Sequence, residues 1–92
     1  MNVCKAQEIF ELIQERGEWR APFLPCVVST SRVSGEMEIR DAAMSATGVV
    51  AFFVAPSGTP LDEEHARVEY VGVDVSDDDL ARFRSQILGG ES

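Results

Sequence analysis

The carboxylates of this 92-residue chain are unevenly distributed. Eight of the sixteen lie between Asp62 and Asp79, where Arg67 is the only Arg or Lys, so this stretch carries −7 of the formal net charge of −8. Charge concentrated in this way produces a directional field that attracts a basic partner and repels nucleic acid. The chemistry expected of these residues is therefore electrostatic docking.

A second group of carboxylates recurs near the N-terminus at the spacing of one helix face. This acidic stripe consists of Glu8, Glu11, Glu15 and Glu18. The apolar stripe opposite it consists of Ala6, Ile9, Phe10 and Ile13. Two opposed stripes predict an amphipathic helix from Val3 to Arg16, which Gly17 is placed to end.

The two groups of carboxylates together supply the predicted partner-binding set. This set consists of Glu8, Glu11, Glu15, Glu18, Asp62, Glu63, Glu64, Glu69, Asp74, Asp77 and Asp78. The expected partner is a protein with a basic surface, including a nucleic-acid-binding protein or complex. Direct binding of nucleic acid is disfavoured, because eight Arg and Lys residues against sixteen carboxylates cannot form a broad positive face. We expect the chain itself to be a monomer or a homodimer.

Catalytic, cofactor and metal chemistry find little support in the sequence. His65 is the only histidine, and its place in an acidic loop favours a solvated role over that of a catalytic base. The aspartates from Asp74 to Asp79 lack the alternating spacing and central glycine of a calcium loop. Gly48 and Gly58 belong to no phosphate-binding pattern. We therefore expect no enzyme, no catalytic residue, no cofactor and no metal.

The middle of the chain predicts a β-hairpin. Cys26–Val33 is rich in β-forming residues, Ser34-Gly35 supplies a two-residue turn, and Glu36–Arg40 alternates polar and apolar side chains. If Val33 pairs with Glu36, the core face carries Val28, Thr30, Met37 and Ile39. The outward face then carries Ser29, Ser31, Glu36, Glu38 and Arg40. The alternative is a helix over Glu36–Ala46, capped by Ser34.

Two further strands and a helix are predicted in the second half. Gly48–Ala55 has no polar side chain and is typical of a buried central strand. Val68–Val75 alternates in two phases, which predicts a fourth strand with a β-bulge near Gly72. Ser76, followed by three aspartates, is a strong N-cap for a C-terminal helix.

These elements predict one α+β domain over residues 1–92. The order α-β-β-β-β-α with short links predicts an antiparallel meander sheet that carries both helices on one face. The predicted core consists of Ile9, Ile13, Val28, Ile39, Val50, Phe52, Val54, Val73, Leu80, Phe83 and Ile87.

Two classes of binding protein fit these features. Small size, acidity and the lack of catalytic residues are shared with many phage-encoded inhibitors, including anti-CRISPR proteins, although no motif matches any one family. A nucleic-acid decoy of this kind requires both acidic groups on one side of the fold. The alternative is a subunit, immunity-type protein or chaperone that binds through an apolar patch, with acidity serving only solubility. Its candidate contacts are Trp19, Phe23, Leu24, Val27 and Val33.

The expected location is the cytoplasm. Charged residues interrupt the N-terminal apolar residues, and no apolar run approaches the ~20 residues of a membrane span. Cys4 and Cys26 have no Cys-x-x-Cys partners, so free thiols are expected rather than a disulfide.

Overall fold

The structure, a computed structural model, describes residues 3–16, 23–60 and 66–88. The elements in chain order are α1 Val3–Arg16, β1 Leu24–Ser29, β2 Ser34–Met44, β3 Val50–Ala55, β4 Ala66–Glu69, a 3₁₀ turn Tyr70–Gly72, β5 Val73–Asp74 and α2 Asp77–Leu88. The predicted α+β class and the helix–sheet–helix order are confirmed. The predicted end of α1 at Gly17 and the end of α2 beyond Leu88 lie outside the described residues.

Both helices pack on the same face of the sheet. α1 contacts β2 and β3, α2 contacts β1, and the helices touch each other. Ala6, Ile9 and Ile13 of the predicted apolar stripe are buried, whereas Phe10 is only partly buried and Leu12, outside the predicted stripe, is buried. The side chain of Gln14 donates a 3.0 Å hydrogen bond to the carbonyl of Ala42 in β2. Ser76 caps α2, since its Oγ accepts a 3.1 Å hydrogen bond from the backbone N–H of Asp79.

The hairpin forms, but with a different register from the one predicted. Thr30 Oγ1 accepts a hydrogen bond from the Val33 N–H and donates one to the Val33 carbonyl, which closes a four-residue turn over 30–33. Val27, rather than Val33, therefore lies opposite Glu36. The expected two-residue turn was wrong, and so was the helical alternative, because residues 34–44 form β2.

The predicted fourth strand is two strands. The 3₁₀ turn interrupts it, so that β4 and β5 occupy opposite edges of a sheet ordered β4-β3-β2-β1-β5, in which every pairing is antiparallel. The bulge expected near Gly72 is absent from this segment, and a register shift lies instead between Ile39 and Asp41 of β2.

The short crossing requires a curled sheet. In a flat sheet, four strand spacings would separate the two edges by about 19 Å. The chain from Glu69 to Val73 spans at most about 14 Å. The sheet therefore curls around its helix-bearing face until β4 approaches β5, as in a half-closed barrel.

Gly72 occupies the point where the curled sheet closes on itself. A Cβ at this position would lie 2.5 Å from Thr30 Cγ2 and 3.3 Å from Val68 Cγ1. Thr30 cannot rotate away freely, because its hydroxyl holds the turn to Val33. The absence of a side chain at residue 72 is thus a steric requirement of the fold.

The core matches the predicted set closely. Every member is buried except Ile87, which packs partly buried against the others. The buried apolar residues that the prediction missed are Ala6, Leu12, Leu24, Cys26, Ala42, Ala51, Ala55, Val68 and Val75. Several of these are alanines or lie at element ends, where the apolar period is hard to read.

Gly72→Ala is expected to destabilise the protein by about 1–3 kcal/mol, as overpacking does elsewhere. Thr30→Ser removes the clashing methyl group and keeps the hydroxyl. The double variant is therefore expected to recover part of the free energy of unfolding, measured by urea denaturation. Two changes whose effects simply add would contradict the proposed contact.

Candidate docking surface on the outer face of the sheet

The seven predicted partner-binding carboxylates that the structure describes do not share one surface. Glu18, Asp62, Glu63 and Glu64 lie outside the described residues. The others are divided between the two helices and the two edge strands. Glu8, Glu11 and Glu15 lie on α1, Asp77 and Asp78 on α2, Glu69 on β4 and Asp74 on β5.

Two of the helix carboxylates join the helices to each other. Glu8 forms an ion pair with Arg84, and Asp77 forms one with Lys5 at 2.7 Å. Lys5 also donates a 2.7 Å hydrogen bond to the carbonyl of Val75. The hydrogen bond and the charge of Lys5 lower the pKa of Asp77 from its ordinary value. These two acids serve an internal contact and are weaker docking candidates for that reason.

Glu11 and Glu15 lie on the solvent side of the helix layer. Both are exposed, and the helical period places them opposite the buried residues Ile9 and Ile13. Asp78 is likewise exposed on the first turn of α2. These carboxylates therefore face away from the sheet.

A row of three outward side chains crosses the other layer. Val27 of β1 pairs with Glu36 of β2 on one side and with Asp74 of β5 on the other. Directly paired residues of antiparallel strands point to the same face, so two carboxylates about 10 Å apart flank one valine. Val27 is 49% exposed, so it offers an apolar contact between the two carboxylates.

This row lies in a groove of about 420 Å³, here called the acidic groove. Its lining includes Pro25, Val27, Glu36, Met37, Glu38, Ser57, Asp74, Ser76 and Asp79. Ser57 donates a 2.8 Å hydrogen bond to Glu38, and Asp79 accepts one of 2.7 Å from Arg82. Glu36 and Asp74 have no ion-pair partner in the described part of the chain, which leaves both charges available.

Only one of the four carboxylates that line this groove was predicted from the sequence as a binding residue. Asp74 was in the predicted set, whereas Glu36, Glu38 and Asp79 were not. The outward placement of Glu36 and Glu38 was read correctly from the alternation in β2. Their meeting with Asp74 depends on β5 pairing with β1, and the sequence pattern carries no signal for that pairing.

Arg40 departs most clearly from its predicted position. It was expected on the outward face, yet it is only 3% exposed, at the register shift of β2. Its Nη2 donates hydrogen bonds to the carbonyls of Thr59 at 2.6 Å and Pro56 at 3.3 Å, and lies 3.5 Å from Glu38. The guanidinium also stacks 4.2 Å from the ring centroid of Phe23. Arg40 thereby fixes the turn that brings Ser57 to the groove.

Arg40→Met is expected to lower the free energy of unfolding by about 2 kcal/mol, because it removes hydrogen bonds from a charged donor. Arg82→Met is the matched control, since that side chain is 67% exposed and its ion pair joins neighbours on one helix. The control should change stability by less than about 0.5 kcal/mol in the same denaturation assay. Equal losses in the two variants would contradict the role assigned to Arg40.

Cys26 is a buried residue of the groove lining, and Cys4 is exposed on α1. Burial, followed by the charge of Glu38, raises the pKa of the Cys26 thiol from 9.0 to about 12.

A thiol reagent at pH 8 should therefore label Cys4 and spare Cys26 until urea unfolds the chain. The folded protein favours the neutral form of the Cys26 thiol. The free energy of unfolding that this residue contributes is therefore fully present below about pH 9 and is lost as the pH rises towards 12. Rapid labelling of Cys26 in the folded protein would contradict this placement.

The four described apolar contacts proposed for the alternative do not form one patch. Leu24 is fully buried, Phe23 is partly covered and stacked on Arg40, and Val33 packs partly buried against the core. Val27 alone among the described candidates is largely exposed, and carboxylates flank it. Trp19 lies outside the described residues.

Glu69 lies in a second cleft, of about 590 Å³, here called the arginine cleft. Its lining consists of Ser29, Thr30, Ser31, Arg32, Val33, Arg67, Val68, Glu69, Val71 and Gly72. The cleft opens where the turn between β1 and β2 meets the end of β4. Val71 is 72% exposed in it. Glu69 and Asp74 are close in sequence, but the crossing of the chain assigns them to opposite sheet edges.

Comparisons with known proteins return no match: no family model, no curated protein and no solved structure resembles the chain significantly. Among the described residues, no helix is long and apolar enough to cross a bilayer. Over the same residues, no three His, Cys, Asp or Glu side chains are grouped as metal ligands would be.

Proposed function

We propose that this chain is a non-enzymatic binding protein that docks its acidic groove on a basic site of a larger protein. The observation that carries the proposal is the row of Glu36, Val27 and Asp74, in which two carboxylates without an ion-pair partner among the described residues flank an exposed valine. The helix carboxylates Glu8 and Asp77, by contrast, form ion pairs with Arg84 and Lys5 of the same chain.

The chemistry of the row defines the complementary surface. Burial of Val27 against an apolar side chain supplies affinity, while the two carboxylates steer the partner and set its orientation. A partner that presents an apolar residue between two Lys or Arg side chains, with about 10 Å between the charges, fits this arrangement. Such a surface has the apolar centre and polar rim of many protein interfaces.

The layered fold favours simple docking over the decoy form. A nucleic-acid decoy needs the N-terminal carboxylates and the second acidic group on one side. Glu11 and Glu15 face outward from the helix layer, whereas Glu36 and Asp74 face outward from the sheet. Because Glu11 and Glu15 lie on the opposite side of the fold from Glu36 and Asp74, these carboxylates support a local patch rather than a continuous charged surface. An inhibitor of a nucleic-acid-binding protein remains within this proposal when it blocks a local basic site.

The proposed location is the cytoplasm. Both cysteines carry free thiols, which is the usual state in a reducing compartment.

The test exploits two acidic pairs of equal charge on opposite layers. Glu36→Lys with Asp74→Lys changes the net charge from −8 to −4, and so does the control, Glu11→Lys with Glu15→Lys. The partner is first captured from the native host on immobilised protein and eluted in salt steps. Its association with each purified variant is then measured at low and physiological salt.

The groove variant should associate at least about tenfold more slowly at low salt, and the difference should shrink as salt screens the charges. The helix variant should stay close to wild type. Equal slowing by both variants would mean that only the overall charge matters. Unchanged binding in both would assign the acidity to solubility.

A further inference from the structure

The large apolar side chains most exposed among the described residues lie in clefts of opposite charge. Val27 lies in the acidic groove between Glu36 and Asp74. Val71 lies in the arginine cleft with Arg32 and Arg67. Each cleft therefore combines one accessible apolar contact with several charged side chains, which are four carboxylates in the acidic groove and two arginines with Glu69 in the arginine cleft.

Arg32 and Arg67 differ from the other basic residues whose side chains are described. Each of the others is held within the protein, in the contacts Lys5–Asp77, Arg82–Asp79, Arg84–Glu8 and Arg40 with the Thr59 carbonyl. Arg32 and Arg67 form no ion pair in the described part of the chain, although Glu69 lines the same cleft. Two unpaired arginines thus match the number of unpaired carboxylates that flank Val27.

We propose that the arginine cleft binds the acidic groove of a second copy of this chain, which gives head-to-tail self-association. Arg32 and Arg67 of one copy pair with Glu36 and Asp74 of the next, and the two exposed valines meet between them. This inference uses the groove of the proposed function and assigns it a second occupant, so self-association and partner docking compete.

Charge determines the arrangement of the copies. A two-fold dimer with groove against groove would bring like charges together, which is unfavourable. A groove-to-cleft contact joins two different surfaces, so it builds short chains or a closed ring, the smallest of which is a two-fold dimer with two reciprocal groove-to-cleft contacts. The net charge of −8 opposes any assembly, but at physiological salt this repulsion is screened beyond about 8 Å while contact pairs are less affected. The association is consequently weak and concentration-dependent.

Sedimentation velocity at physiological salt tests the proposal with neutral substitutions. The groove variant is Glu36→Gln with Asp74→Asn, and the cleft variant is Arg32→Gln with Arg67→Gln. The wild type should show a rising weight-average sedimentation coefficient up to about 1 mM, the weak end of specific association. Each variant alone should remain monomeric. An equimolar mixture retains one intact interface per pair, so it should form a heterodimer and nothing larger.

The control is Glu11→Gln with Glu15→Gln, which removes the same two negative charges as the groove variant and should assemble at least as well as wild type. Removal of negative charge lowers repulsion, so a non-specific contact would strengthen in both acidic variants. A monomeric wild type at about 1 mM, a groove variant that assembles like wild type, or a mixture without heterodimer would overturn the proposal. None of these results would affect partner docking, which the lysine variants of the groove test separately.

Discussion

The close approach of Gly72 to Thr30 is the contact on which the remaining architecture depends. A turn of three residues carries the chain from β4 to β5, and this is possible only because the backbone at residue 72 passes within van der Waals reach of the β1–β2 turn. The crossing places β5 beside β1 and so sets Asp74 opposite Val27. Without it, Asp74 would continue along the β4 edge, and the acidic groove would lose one wall.

The groove also depends on the shortness of β5. Two residues of β5 pair with Val28 and Val27, so the earlier part of β1 has no strand on that side. Pro25 lies in this uncovered part, and proline cannot donate to an added strand. Arg40 donates hydrogen bonds to the carbonyls of Pro56 and Thr59 and so holds the turn that places Ser57 at the other side of the groove. The surface is therefore suited to recognition by side chains rather than by strand addition.

The features that sequence could predict are those set by short-range periodicity and caps. The amphipathic helix α1, the Ser76 cap, the buried third strand and ten of the nineteen buried apolar residues that the structure describes follow from local patterns that tertiary structure did not override. The features it missed depend on a single contact between distant residues or on one side chain in a turn. The hydrogen bonds of the Thr30 hydroxyl close a longer turn than predicted, and this changes which residues of β1 and β2 are paired. The register shift after Ile39 places the side chain of Arg40 in the interior. Glu69 and Asp74 are close in sequence and were predicted to lie on one surface, but they belong to strands at opposite sheet edges. The apolar periodicity of the sequence does not indicate a crossing of this kind.

We propose that this protein meets its partner through the outer face of β2, β1 and β5. The backbone amide spectrum of ¹⁵N-labelled protein, recorded while the captured partner is added, locates the contact residue by residue. The amides of Val27, Glu36 and Asp74 should shift or broaden first, while those of Glu11 and Glu15 on the opposite side of the fold stay in place. Changes confined to the exposed side of α1, with the groove amides unaffected, would contradict this proposal.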